Sequence, residues 1–331
     1  MEINEKIIQV VNRLRRIPDK HRDFLVDTAR AFSEYRFQSD RLEALMEIGL
    51  PHRRKGQQHY FNHLDLITLG FYLRIPSRTN LLFRSWGGAL KKLKGNREMV
   101  ADLSIIPLLN NEDAQAEHEF NILKPEIGRL TLSGKSNLIL YRADLNRPHL
   151  QFEFPAELTG IIEKVLELDF FMLPEGVRWD LDFVLETGMA DCGGASKYCC
   201  ELLKSEGYEA RHCFGVVLAE PFASGRYFTE VRLDDQWIAI DPHFIKLLQN
   251  LGSLKNDDWP MRQSPGAVLL PMDEVIAYRF RYGTPVFRHL KVESYILNPI
   301  CTIGDQEITV SMPVKMKFIE CSNDDKKAAV S

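Results

Sequence analysis

The sequence predicts an α+β protein in which a helical N-terminal unit precedes a mixed core, and three observations carry that prediction. Apolar residues recur at helical spacing through much of the first hundred positions. From about residue 130 onward, alternating apolar and polar runs mark half-buried strands. Between residues 188 and 245 a cysteine opens a helix and a strand hairpin closes on Asp241-Pro242.

A chain of 331 residues, 45% hydrophobic and 27% charged, is long enough for a buried core plus a second unit, since domains usually run to about 100–200 residues. Residues 1–125 read as a helical recognition domain, 126–320 as the α+β domain and 321–331 as a disordered tail. The formal net charge of -4 lacks the basic excess of a dedicated nucleic-acid binder. No apolar run approaches the roughly 18–20 residues of a membrane span, and the N-terminal MEINEKIIQVVNRLRR alternates charge with apolar residues unlike a signal peptide. The expected location is cytoplasmic, with no membrane partner. Six cysteines, two of them adjacent at 199 and 200, do not resemble the disulfide framework of a small secreted domain, so free thiols are expected. No CxxC pair or tight His/Cys cluster stands at zinc spacing; no metal site is expected and no cofactor is assigned.

Residues 4–16 place Ile7, Ile8, Val11 and Leu14 on one helical face, and residues 19–36 do the same with Phe24, Leu25, Ala29, Phe32 and Tyr35. A third helix starts near Ser39 and stops at Gly49, with Pro51 beyond it. A basic loop, Arg53-Arg54-Lys55, then leads through Tyr60-Phe61 to a helix opened by Asn62 or Asp65. That order resembles a winged-helix or MerR-type DNA-binding unit. The resemblance implies nucleic-acid contact through Arg53, Arg54 and Lys55; the other reading of the same unit is peptide or partner recognition, with the basic residues simply solvated. Residues 1–100 hold about 19 Lys or Arg against about 11 Asp or Glu, so the remainder is acidic.

Residues 74–128 mix short helical patterns with the polar stretch NNEDAQAEHE, a surface loop near the domain boundary. Residues 130–132, 137–141 and 150–154 read as strands and 156–168 as a helix. Beyond 245, FIKLLQNLGSLK reads as a helix and DDWPMRQSPG as a loop that covers or lines the cleft. Strands at 292–297, 307–310 and 314–319 would complete the sheet of the core.

The chemistry concentrates in GMADCGGASKYCCELLKSEGYEARHCFGVVL, residues 188–218. Cys192 stands at a helix start, where unpaired backbone N–H groups and the helix dipole favour a thiolate and can hold an oxyanion. Gly193 and Gly194 would let backbone approach a substrate carbonyl. Downstream, RYFTEVRLDDQWIAIDPHF (226–244) reads as a hairpin with an Asp234-Asp235 turn.

Cys192, Ala210-Arg211 with Gly215, Phe228-Thr229-Glu230-Val231, and Trp237 with Asp241-Pro242 resemble the motifs of the transglutaminase-like superfamily, whose core is papain-like. The resemblance covers about 60 residues. It implies Cys192 as nucleophile, Asp241 as the orienting acid, and Gly193, Gly194, Trp237 and Glu230 as oxyanion or substrate-binding positions. The departure is Arg226, which stands where the family has its catalytic His. Arginine stays charged at any ordinary pH, so it could lower a thiol pKa but could not shuttle a proton.

Two readings follow. In the first, Cys192 is made a thiolate by the helix terminus and Arg226. It takes an acyl group from a peptide or a carrier-protein thioester and passes it to an amine or water. A thioester donor suits the site, because a departing thiolate needs no general acid. His243 and His212 could each swing towards Cys192 as a catalytic base, with His243 the first candidate, and each has an ordinary structural reading as well. In the second reading Cys192 and Asp241 are relics, and the cleft binds a peptide or partner without turnover. The sequence leaves the oligomeric state open.

Overall fold

A computed structural model describes residues 4–93, 99–105, 118–120, 130–132, 139–144, 152–219, 224–271, 295–297, 300–303, 306–309 and 312–320. Helix α1 (Glu5–Leu14) is capped by Asn4 and buries Ile7, Val10, Val11 and Leu14. The single helix expected over 19–36 does not form. A 3-10 turn, Asp19–His21, is followed by strand β1 (Val26–Asp27) and helix α2 (Thr28–Tyr35). Two features interrupt it: Arg22 turns inward to bond Asp65 and the carbonyls of Leu14 and Ile17, and Phe24 takes a φ of 43°, outside any helix. Leu25 and Phe32 are consequently 58% and 53% exposed.

Helix α3 (Ser39–Glu47) ends at Gly49, whose φ of +97° suits glycine. The basic stretch, expected as a loop, is strand β2 (His52–Lys55), hairpinned onto β3 (Gln58–Phe61). Asn62 opens α4 (His63–Tyr72) by accepting the Leu64 and Asp65 amides, and α5 (Arg78–Leu93) follows. The three strands form one antiparallel sheet in the order β1-β3-β2.

Strands β4 (Met99–Ile105), β5 (His118–Phe120), β6 (Leu130–Leu132) and β7 (Ile139–Asp144) come next; β4 and β5 lie where short helical patterns and a loop were expected. The core runs through α6 (Thr159–Leu166), β8 (Asp169–Phe170), α7 (Glu175–Arg178), α8 (Leu181–Thr187), β9 (Met189–Ala190), α9 (Cys192–Ser205), β10 (Ala210–Val217), β11 (Ser224–Leu233), β12 (Gln236–Ile240), α10 (Pro242–Asn250) and β13 (Leu269–Pro271). Its sheet is ordered β12-β11-β10-β13. The β11–β12 turn places Asp234 and Asp235 at positive φ, as a tight two-residue hairpin requires. The C-terminal strands β14 (Tyr295–Leu297), β15 (Ile300–Ile303), β16 (Gln306–Thr309) and β17 (Met312–Glu320) do not extend this sheet. They join the 99–144 strands as β14-β17-β4-β7 and β16-β15-β5-β6. Residues 321–331, read as a tail, lie outside the described residues.

Helices α1 and α4 share one apolar cluster with Leu168, Phe171, Val184, Met189 and, near the start of α9, Ala195. A second cluster gathers Phe83 and Trp86 of α5 with Phe228, Phe244 and Trp259. Each such Leu or Phe contributes about 1.5–3 kcal/mol on full burial. Trp259 is only 1% exposed, so the stretch read as a loop is anchored in the core through that ring. Asp169, bonded by Arg13 at 2.7 Å and Lys246 at 2.9 Å, ties α1 to α10. No helix among the described residues is long and apolar enough to cross a membrane.

Candidate functional site

Gly188, at φ +66°, ends α8 and turns the chain into β9, which pairs in parallel with β8 and delivers Asp191 to the start of α9. Asp191 is fully buried. One of its oxygens accepts the Gly193 and Gly194 amides at 2.9 and 3.1 Å. The other is gripped by the buried Arg178 through Nε at 2.7 Å and Nη2. The glycine amides expected to receive an oxyanion are therefore already donated to Asp191. The glycines themselves are explained by packing: a Cβ at 193 would lie 2.9 Å from the Trp179 ring, and one at 194 would lie 2.9 Å from the Arg178 carbonyl.

Cys192 keeps a partly exposed surface, but its sulfur is enclosed. Burial pushes the thiol pKa up and the Asp191 carboxylate pushes it further, against Arg226, Arg178 and the Tyr227 amide, which favour the thiolate. The expected thiolate is not what this arrangement favours. The reason is local: the sulfur is buried, and the carboxylate that caps the helix takes its amides and adds a negative charge beside it. Cys199, Cys200 and Cys213 are free thiols too, and burial raises each of them.

Arg226 on β11 donates to Asp241 through Nε at 2.6 Å and Nη2 at 3.1 Å. Its guanidinium lies 4.5 Å from the Phe244 ring centre. Asp241 also accepts the Phe244 amide at 2.9 Å, which makes it the cap of α10 with Pro242 in the first turn. Both members of the pair are buried. His243 is buried as well, and burial first, then Arg226 and Lys246, push its pKa down to about 3. Neither ring nitrogen has a hydrogen-bond partner among the described residues. It is a neutral imidazole packed 6.3 Å from Phe170, not a base engaged with the thiol.

His212 is neutral too, drawn down to about 4 by burial and by Lys197. Its Nε2 lies 2.8 Å from the Ser196 Oγ, which donates to the Gly193 carbonyl. It stacks on Tyr227 at 5.2 Å, and the Trp179 ring meets both edge-on at 5.6 and 5.0 Å. The half-buried Trp179 and His212 rings and the partly exposed Cys192 form an aromatic surface at the start of α9, backed by the buried Tyr227. Sequence reasoning missed Asp191, Arg178, Trp179 and Tyr227. An aspartate directly before a helix start is a cap signal that could have found the first; nothing in sequence spacing points to the others.

Glu230 and Trp237 are engaged elsewhere. Arg211 bonds Glu230 at 2.7 Å and lies 4.2 Å from the Trp237 ring centre, and the Cys213 sulfur sits 3.4 Å from the same carboxylate. Of the basic trio on β2, Arg53 stacks on Phe24 at 4.7 Å and Arg54 bonds the Gly56 carbonyl. No cluster of three His, Cys, Asp or Glu side chains among the described residues is arranged to hold a metal ion.

Residues 163–242 match the family model of the transglutaminase-like superfamily. The match runs from within α6 to the first residue of α10 and includes Cys192, Arg226 and Asp241; this core is transglutaminase-like. No curated protein and no solved structure matches the chain.

Proposed function

We propose that this chain uses its transglutaminase-like core to bind a peptide segment against the aromatic surface beside Cys192, without turning it over. The observation that carries the reading is the buried, two-bonded Arg226–Asp241 pair. The resemblance puts an imidazole at 226; here the position holds a permanent cation whose charge Asp241 balances. Amide chemistry needs a group that accepts the thiol proton and returns it to a leaving amine, and a guanidinium does neither. The raised Cys192 pKa and the capped Gly193 and Gly194 amides point the same way. Nucleic acid is a poorer partner: the exposed side of α3, next to the basic strand, carries Asp40, Glu43 and Glu47, the wrong sign for phosphates.

One observation favours acyl transfer as a second reading. Arg226 and the Tyr227 amide both pull the Cys192 sulfur toward the thiolate, and cytoplasmic acyl thioesters would need no general acid to release their thiol. Iodoacetamide labelling of the intact protein near neutral pH, read by mass spectrometry at Cys192, separates the two. Binding without turnover expects labelling no faster than free cysteine. A rate well above it, together with a Cys192-linked acyl adduct from an aryl thioester that C192A lacks, would overturn it.

A further inference from the structure

The N-terminal unit carries surface that neither reading of the Cys192 site uses. Leu25 and Phe32 have the spacing of core residues yet are more than half exposed. Helix α3 exposes Asp40, Glu43 and Glu47, and the next element, β2, exposes Arg53, Arg54 and Lys55. Strand β2 is an edge of its sheet, paired only with β3 among the described residues. Three acids and three bases thus stand on consecutive elements, and no ion pair among the described residues joins them.

We propose that this unit is the contact between two copies of the chain, related by a twofold axis, with β2 of one protomer facing α3 of the other and Leu25 and Phe32 at the contact. A twofold contact uses the same patch on both copies, so the patch must complement itself; one that carries both signs on neighbouring elements does. An acidic peptide or nucleic acid would be drawn to β2 and repelled by α3, whereas a second copy satisfies both. Exposed ion pairs contribute little each and are screened by salt, so the dimer is weak and salt-sensitive.

Sedimentation velocity on the full chain over a concentration series tests this. The expected result is a monomer–dimer equilibrium that weakens by roughly tenfold or more from low to high salt. The variant R53E/R54E/K55E has two acidic patches and the variant D40K/E43K/E47K two basic ones. Each is expected to be monomeric alone, and an equimolar mixture to form a heterodimer, because both contacts regain opposite signs. Circular dichroism checks that each variant is folded. A wild-type chain that stays monomeric at every concentration overturns the proposal. So does a dimer that both variants retain, or a mixture of folded variants that stays monomeric. None of these outcomes bears on the Cys192 labelling rate, so this proposal and the binding reading fail separately.

Discussion

Two buried arginine–aspartate pairs, one in the N-terminal unit and one in the core, use the same chemistry to different ends. Arg22 meets Asp65 through one bond, Nε to Oδ2 at 2.9 Å, and spends its other nitrogens on the Leu14 and Ile17 carbonyls and on Asp19. Burial outweighs that single partner and raises the Asp65 pKa to about 6. Arg226 meets Asp241 through two bonds, and Asp241 takes the Phe244 amide as well. In the N-terminal unit the arginine is the hub, sealing the end of α1, while Asn62 does the capping of α4. In the core the carboxylate is the hub, capping α10 and locking Arg226 in place. A lone bond leaves burial to decide the state of Asp65; two bonds and an amide hold Asp241 and Arg226 in one geometry.

The largest expected effect comes from breaking either pair. Asp241→Ala leaves Arg226 buried without its counter-charge, at a cost of about 3–5 kcal/mol, and removes a helix cap, for about 1 kcal/mol more. Asp65→Ala is expected to cost less, because Arg22 keeps Asp19 and the Leu14 and Ile17 carbonyls and Asn62 keeps α4 capped. Urea unfolding at neutral pH measures both, and equal losses would mean that Asp241 has no separate capping role. The pH dependence sharpens the contrast. With its folded pKa raised to about 6 above an unfolded value of about 3.9, Asp65 binds its proton more readily in the folded chain. Its contribution to stability is therefore greatest below the unfolded value and is lost as pH rises through about 6. Asp65→Asn should remove that slope.

These pairs also mark how far sequence reading reaches. Cys192 at a helix start, the hairpin with its Asp234-Asp235 turn and Asp241 before Pro242 were legible because each is a local signal: a glycine-flanked turn, alternation, a cap before proline. The pairing of Arg226 with Asp241 needs the register of β11 against β12, and that of Arg22 with Asp65 joins residues 43 positions apart. Neither leaves a mark in spacing. The broken helix at 19–36 failed for the same reason. Its apolar periodicity is real, but the inward turn of Arg22 toward Asp65 overrides it and leaves Leu25 and Phe32 outside. Strand β4 was missed because its pairing partners, β17 and β7, lie far along the chain.

A smaller effect tests the core from its uncompensated side. His243 lies beside the Arg226–Asp241 lock, and both of its ring nitrogens are buried without partners among the described residues. His243→Leu is expected to raise stability at neutral pH by about 1–3 kcal/mol, the usual cost of an unsatisfied buried polar group. The sign of its pH dependence opposes that of Asp65. A folded pKa near 3 against about 6.5 unfolded means that the unfolded chain gains a proton first, so stability falls as pH drops from about 6.5 toward 3. The leucine variant should lose that acid limb. A variant less stable than wild type would show that the imidazole has a bonding partner, and that it belongs to the network around Arg226.

The smallest effect isolates capping from charge. Asn62 accepts the Leu64 and Asp65 amides at 2.9 and 3.3 Å, so Asn62→Ala removes the cap of α4 and leaves the Arg22–Asp65 bond in place. The expected loss is about 1 kcal/mol, read from the urea midpoint. Its pH dependence should match wild type, because Asp65 still titrates against Arg22. If Asn62→Ala also flattens the slope near pH about 6, the cap and the ion pair act as one unit after all. The N-terminal pair would then work as the core pair does, with capping and charge balance bound together at the start of a helix.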